Sequence, residues 1–70
     1  MAGISLDVLR AGKKYRLVNY GESHEFIIER ILANGDFLVK DLLTLESYHL
    51  KDLIKYGKGK DYLLEEILPE

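Results

Sequence analysis

The chain has 70 residues, 47% of them hydrophobic, a formal net charge of −2 and no cysteine. A chain this short forms one domain that buries only about 60% of its unfolded surface, so its stability is low, on the order of 3–5 kcal/mol. Lack of cysteine excludes disulfides and thiolate metal sites, no apolar run approaches the ~20 residues of a membrane span, and the slight acidity argues against a nonspecific nucleic-acid binder.

The residues from Met1 to Asp7 lack a basic region followed by an apolar run, so no signal peptide is expected. A cysteine-free chain of ordinary charge reads as cytoplasmic. Residues 1–11 read as an arm or as a short helix capped by Ser5, with Leu6 and Leu9 on one face and Gly12 as the stop. Lys13 to Asn19 alternates as a strand, with Tyr15 and Leu17 on one side and Lys14, Arg16 and Val18 on the other. Tyr20-Gly21-Glu22-Ser23 is a turn by composition.

His24 to Leu32 and Phe37 to Leu43 read as the next two strands, flanking Asn34-Gly35. Asn-Gly is the strongest short hairpin signal, because both central residues of a type I′ turn need positive φ. A two-residue loop there pairs Leu32 with Phe37 and Glu29 with Lys40, the latter a favourable cross-strand charge pair. Both faces of this hairpin are apolar, which predicts either a bulge or bend near Glu29-Arg30 or a strand covered on both faces; a bent strand shared between two small sheets satisfies either.

Thr44 to Tyr48 reads as a short fourth strand. Leu50, Leu53 and Ile54 recur at helical spacing, with Asp52 in the first turn, Lys55 in the last and Gly57 beyond. Gly57-Lys58-Gly59-Lys60 reads as a flexible loop. Tyr62 to Leu68 completes the chain as a strand, since an open apolar sheet edge would aggregate; a helix capped by Asp61 is the alternative. Residues 69–70 read as a frayed tail. The expected core is Tyr15, Leu17, Phe26, Ile28, Ile31, Phe37, Val39, Leu45, Leu50, Leu53, Ile54 and Leu64.

The expectation is an all-β five-stranded small barrel over residues 12–68, with one short helix before the last strand. This order resembles the SH3-like barrels and, in particular, the Tudor family. The resemblance rests on Ala11-Gly12-Lys13, Tyr20-Gly21-Glu22, the apolar second strand, Asn34-Gly35-Asp36, Phe37-Leu38-Val39 and Leu50-Lys51-Asp52-Leu53-Ile54. It spans about residues 9–55. It implies a binding module rather than an enzyme, one that holds a methylated cation in an aromatic cage. Carried over, the cage positions fall on Tyr20 and Phe26, and near Lys40 and Leu43, which are not aromatic.

The functional expectation is a non-catalytic adaptor for a protein or peptide segment, with Tyr20, Glu22, Phe26, Tyr48 and Tyr56 as its site. The ordinary alternative for these aromatics is the rim of a small core. A second reading binds single-stranded nucleic acid through Lys51, Lys55, Lys58 and Lys60, with Lys13, Lys14 and Arg16 extending the basic face. A third is a structural subunit or weak homo-oligomer joined through Ile27, Ile31, Leu38 and Leu42, the alternative to a monomer. No cofactor or metal is expected: His24 and His49 are the only imidazoles, short of the three or four ligands zinc requires.

Overall fold

The computed structural model describes residues 8–68. The first residues of the expected N-terminal arm or helix, 1–7, and the expected frayed tail at 69–70 lie outside that range. Five strands form one antiparallel sheet: β1 Lys14–Asn19, β2 Glu22–Ile31, β3 Phe37–Asp41, β4 Ser47–His49 and β5 Leu63–Glu66. Their order is β4-β3-β2-β1-β5, so β4 and β5 are edges and strand pairing leaves the sheet open rather than closed into a barrel. A 3-10 helix, Leu50–Leu53, follows β4. The closing segment is a strand, as expected, with Leu64 opposite Leu17.

Alternation sets the core. Tyr15, Leu17 and Asn19 of β1 are buried, as are Phe26 and Ile28 of β2 and Phe37 and Val39 of β3. Leu9, Leu50 and Leu64 complete the cluster, with Leu53 and Ile54 packed partly against it. The Tyr15 hydroxyl accepts the Arg10 N–H at 3.0 Å, so its buried ring keeps a satisfied polar end.

The expected bulge is present. Ile28 pairs with Val39, but Arg30 pairs with Leu38, which leaves Glu29 unpaired. Two consequences correct the simple register. Lys40 lies opposite Ile27, and Glu29 instead accepts the Ser47 hydroxyl at 3.0 Å. Ile31 pairs with Phe37 beyond the last buried residue of β2 and is 50% exposed, so it is neither core nor part of an Ile27–Leu38 face.

The type I′ turn expected at Asn34-Gly35 is found instead at the first hairpin. Asn19 pairs with Glu22, so the first loop is only Tyr20-Gly21, and both residues have positive φ (51° and 76°), the type I′ condition. At Asn34-Gly35 only the glycine has positive φ (86°). There Leu32 N–H donates to Asp36 O and Gly35 N–H to Leu32 O, a three-residue loop with a glycine bulge.

Asp41 ends β3 before the expected Leu43. Its Oδ1 accepts the N–H groups of Leu43 and Thr44 at 2.8 and 3.0 Å. The resulting turn puts Leu45 at φ 64° and 65% exposed, so Leu45 leaves the expected core and β4 starts at Ser47.

Asp36 ties the second hairpin to the 3-10 helix. Buried at 4% exposure, its Oδ1 accepts Phe37 N–H at 2.7 Å and Lys51 N–H at 3.2 Å, while Oδ2 faces His49 Nδ1 at 3.4 Å. Removing the carboxylate strands two backbone donors. Asp36→Ala therefore lowers unfolding free energy by about 1–3 kcal/mol, seen as a lower denaturant midpoint. An unchanged midpoint would show that these bonds are dispensable.

Candidate functional site

The type I′ turn is where backbone conformation and long-range bonding meet. A left-handed tyrosine costs roughly 1–2 kcal/mol, so its surroundings must hold it there. Asp61 does so from far along the chain. Its Oδ1 accepts Tyr20 N–H at 2.9 Å and its Oδ2 accepts Gly21 N–H at 2.7 Å. These bonds hold the Asp61 carboxyl below the ordinary carboxylate range, the Gly21 N–H contributing most. The Tyr20 hydroxyl donates to Tyr56 O at 2.8 Å.

Asn19, buried at the end of β1, completes the junction. Its Nδ2 donates to Leu53 O and Gly57 O, and its Oδ1 accepts Gly59 N–H at 2.7 Å. The Gly57–Lys60 segment is thus a pinned loop, not the free one its glycines suggest. A Cβ on Gly59 would lie 3.0 Å from Tyr20 Cδ1 and 3.2 Å from Asn19 Oδ1, so the tyrosine ring lies directly against the loop backbone.

Between this turn and the 3-10 helix runs an open groove lined by Asn19, Tyr20, Glu22, His24, Asp52, Leu53 and Tyr56. Glu22 and His24 share the parity of buried Phe26 and Ile28, so they extend the inner face of β2 past the core. Tyr20 and Tyr56 are 57% and 80% exposed. The lining holds Glu22 and Asp52 but no lysine or arginine. The Lys55 ammonium lies 5.2 Å from the Tyr56 ring centroid.

Three of the expected site residues, Tyr20, Glu22 and Tyr56, therefore meet in one groove. Phe26 does not join them: it is fully buried, 6.5 Å from the Tyr15 ring, because its inward parity puts it beneath the sheet. Tyr48 is half-buried on β4, and its hydroxyl donates to Asp41 Oδ2 at 2.9 Å. Burial, then the Asp41 carboxylate, pushes the Tyr48 phenol well up. It braces the turn after β3 rather than lining the groove.

The basic face is divided. Arg16 is engaged by Glu25 at 3.0 Å and Glu65 at 3.1 Å on the outer side of the sheet, and these partners, Glu25 first, raise its pKa. Lys51, Lys55, Lys58 and Lys60 are exposed, but the Lys58 ammonium covers the Tyr62 ring at 4.8 Å. Ser47 and His49 share β4 yet bond different carboxylates, those of Glu29 and Asp36. Among the described residues no group of three or more metal-ligating side chains occurs, and no helix is long and apolar enough to cross a membrane.

Asn19, His24, Asp52 and Leu53 are groove residues that the sequence reading did not select. Parity from Tyr15 and Leu17 marks Asn19 as an inward polar residue, and parity from Phe26 marks His24. Nothing local marks Asp61, whose partners lie across the fold. Comparison with protein-family models, with curated proteins and with solved structures returned no match.

The clamp is testable by pH. Because folding lowers the Asp61 pKa, its contribution is complete above its ordinary value of 3.8 and is lost as pH falls below that. Asp61→Asn should reduce stability at neutral pH and make acid unfolding less steep, measured by denaturant melts across pH. Identical profiles would exclude the clamp as a stabilising feature. Gly59→Ala should shift the amide resonances of Asn19, Tyr20 and Tyr56, because the new methyl displaces the ring; an unperturbed spectrum would contradict the contact.

Proposed function

We propose that this chain is a small non-catalytic binding module that recognises a protein segment in the groove between the Tyr20 turn and the 3-10 helix. The observation that carries the reading is the convergence in one groove of two exposed tyrosine rings and two rim carboxylates, beside a turn fixed by Asp61 and a loop fixed by Asn19. Exposed aromatic rings on a fixed backbone bind at low entropic cost. With Glu22 and Asp52 on the lining and no basic group among it, the groove favours a segment that carries lysine or arginine.

The strand order, with a 3-10 helix between β4 and β5, supports an SH3-like fold with the β1–β2 turn beside the binding surface. A Tudor-type cage has little support: Phe26 is inside the core, and Lys40 and Leu43 are not aromatic. Recognition here depends instead on Tyr20, Glu22, Asp52 and Tyr56.

Single-stranded nucleic acid is the competing partner, since four exposed lysines lie between residues 51 and 60. The Tyr62 ring is already faced by the Lys58 ammonium, which leaves one fewer free platform for base stacking. A homo-oligomeric role has the half-buried Ile27, Leu38 and Leu42 on the outer face, without Ile31.

Amide NMR titrations separate these partners. Blocked peptides containing arginine should move Tyr20 to His24 and Asp52 to Tyr56, and Glu22→Lys or Asp52→Lys should each weaken binding about two- to five-fold. A short mixed-sequence oligonucleotide should leave those amides in place. Movement confined to Lys51–Lys60, abolished by salt, would replace the peptide reading with the nucleic-acid one. No movement with basic or neutral peptides would refute the peptide reading.

A further inference from the structure

We propose that Asn34 is a site of spontaneous deamidation, gated by opening of the β2–β3 hairpin tip, whose isoaspartyl product loosens the 3-10 helix. Asn34 is exposed, and the residue after it is Gly35, which has open space where a Cβ would stand. Nothing therefore obstructs a ring closing between the two residues. The Asn34 side chain already folds along the backbone, its Oδ1 accepting Asp36 N–H at 3.0 Å. Attack on the side-chain carbonyl is intramolecular because the Gly35 nitrogen belongs to the adjoining residue.

The chemistry needs only water. The Gly35 backbone nitrogen gives its proton to solvent base and bonds to Asn34 Cγ. The Cγ–Nδ2 bond breaks, and Nδ2 leaves as ammonia with a proton from water. Water then opens the cyclic imide. Cleavage at Cγ restores the normal chain as aspartate, whereas cleavage at the backbone carbonyl routes the chain through Cγ as isoaspartate. The net change is an amide and water giving a carboxylate and ammonium.

The fold supplies the gate. Gly35 N–H donates to Leu32 O at 3.0 Å, so the nucleophile keeps its proton while the loop is closed. Local opening of a hairpin tip costs far less than global unfolding. Asn19, the only other asparagine, is an internal control. It is buried, both its amide atoms are bonded, and bulky Tyr20 follows it.

The two products differ in consequence. Aspartate keeps an acceptor for Asp36 N–H. Isoaspartate lengthens the main chain inside a loop whose span is fixed by the Leu32–Asp36 pairing. It therefore displaces Asp36, the residue that holds Lys51 N–H and faces His49. The 3-10 helix then loses the contact at its start, whether or not the groove binds a peptide.

The full chain, aged at mildly alkaline pH with and without urea, tests this by peptide mass mapping and by isoaspartyl methyltransferase labelling. The expected result is conversion at Asn34 but not Asn19 in the folded protein, several-fold faster in urea. The separated isoaspartyl form should show displaced Lys51 to Leu53 amides, while Asn34→Asp leaves them near their original positions. An Asn34 that stays intact in the folded protein while the unfolded chain converts fully would overturn the proposal. So would an isoaspartyl form with unmoved Lys51 to Leu53 amides.

Discussion

The carboxylate of Asp61 on the two amides of the Tyr20-Gly21 turn is the constraint on which the rest of the structure depends. Only two residues separate Asn19 from Glu22 and both have positive φ, so the turn is type I′, whose twist suits the strands on either side. Tyrosine is a poor residue for that conformation. The preference is overridden because its N–H meets Asp61, its hydroxyl meets Tyr56 O and its ring lies against Gly59. The same contacts fix the segment joining the 3-10 helix to β5. One strained residue is therefore both the end of the first hairpin and the anchor of the longest connection.

A four-residue 3-10 helix has no stability of its own. Here it is held at both ends by polar side chains from the sheet. Asp36 accepts Lys51 N–H at its start, and Asn19 donates to Leu53 O at its end. Leu50 between them is buried in the core. In so small a chain the apolar cluster alone leaves the connections unsupported. Buried or half-buried Asn19, Asp36 and Asp41 supply the missing fixation, each by accepting or donating to backbone groups of a turn.

Much of the sheet was legible because alternation is a local signal. Tyr15 and Leu17, and Phe37 and Val39, faced inward as their spacing required, and of the two explanations for the apolar faces of β2 the bulge at Glu29 is the one found. The turn types were not legible. Asn34-Gly35 has the better type I′ composition, but the bulge shifts the register so that Leu32 and Asp36 pair and the loop takes three residues. Tyr20 reaches positive φ through partners some forty residues away, which no local window contains. The site followed the same division. Of the residues named for the site, Tyr20, Glu22 and Tyr56 line one groove, whereas Phe26 faces the core, as the inward parity it shares with Ile28 requires.

The placement of charge follows from this scaffold. On the outer face Arg16 is engaged by both Glu25 and Glu65 across neighbouring strands, a cluster that keeps one negative charge in excess. On the groove side the carboxylates of Glu22 and Asp52 have no arginine or lysine on the lining, while the lysines of residues 51–60 point to solvent or cover tyrosine rings. Unlike charges thus border one another without cancelling within the groove. The groove therefore carries its carboxylates on two elements, Glu22 on β2 and Asp52 on the 3-10 helix, with Tyr20 and Tyr56 beside them and the lysines outside the lining.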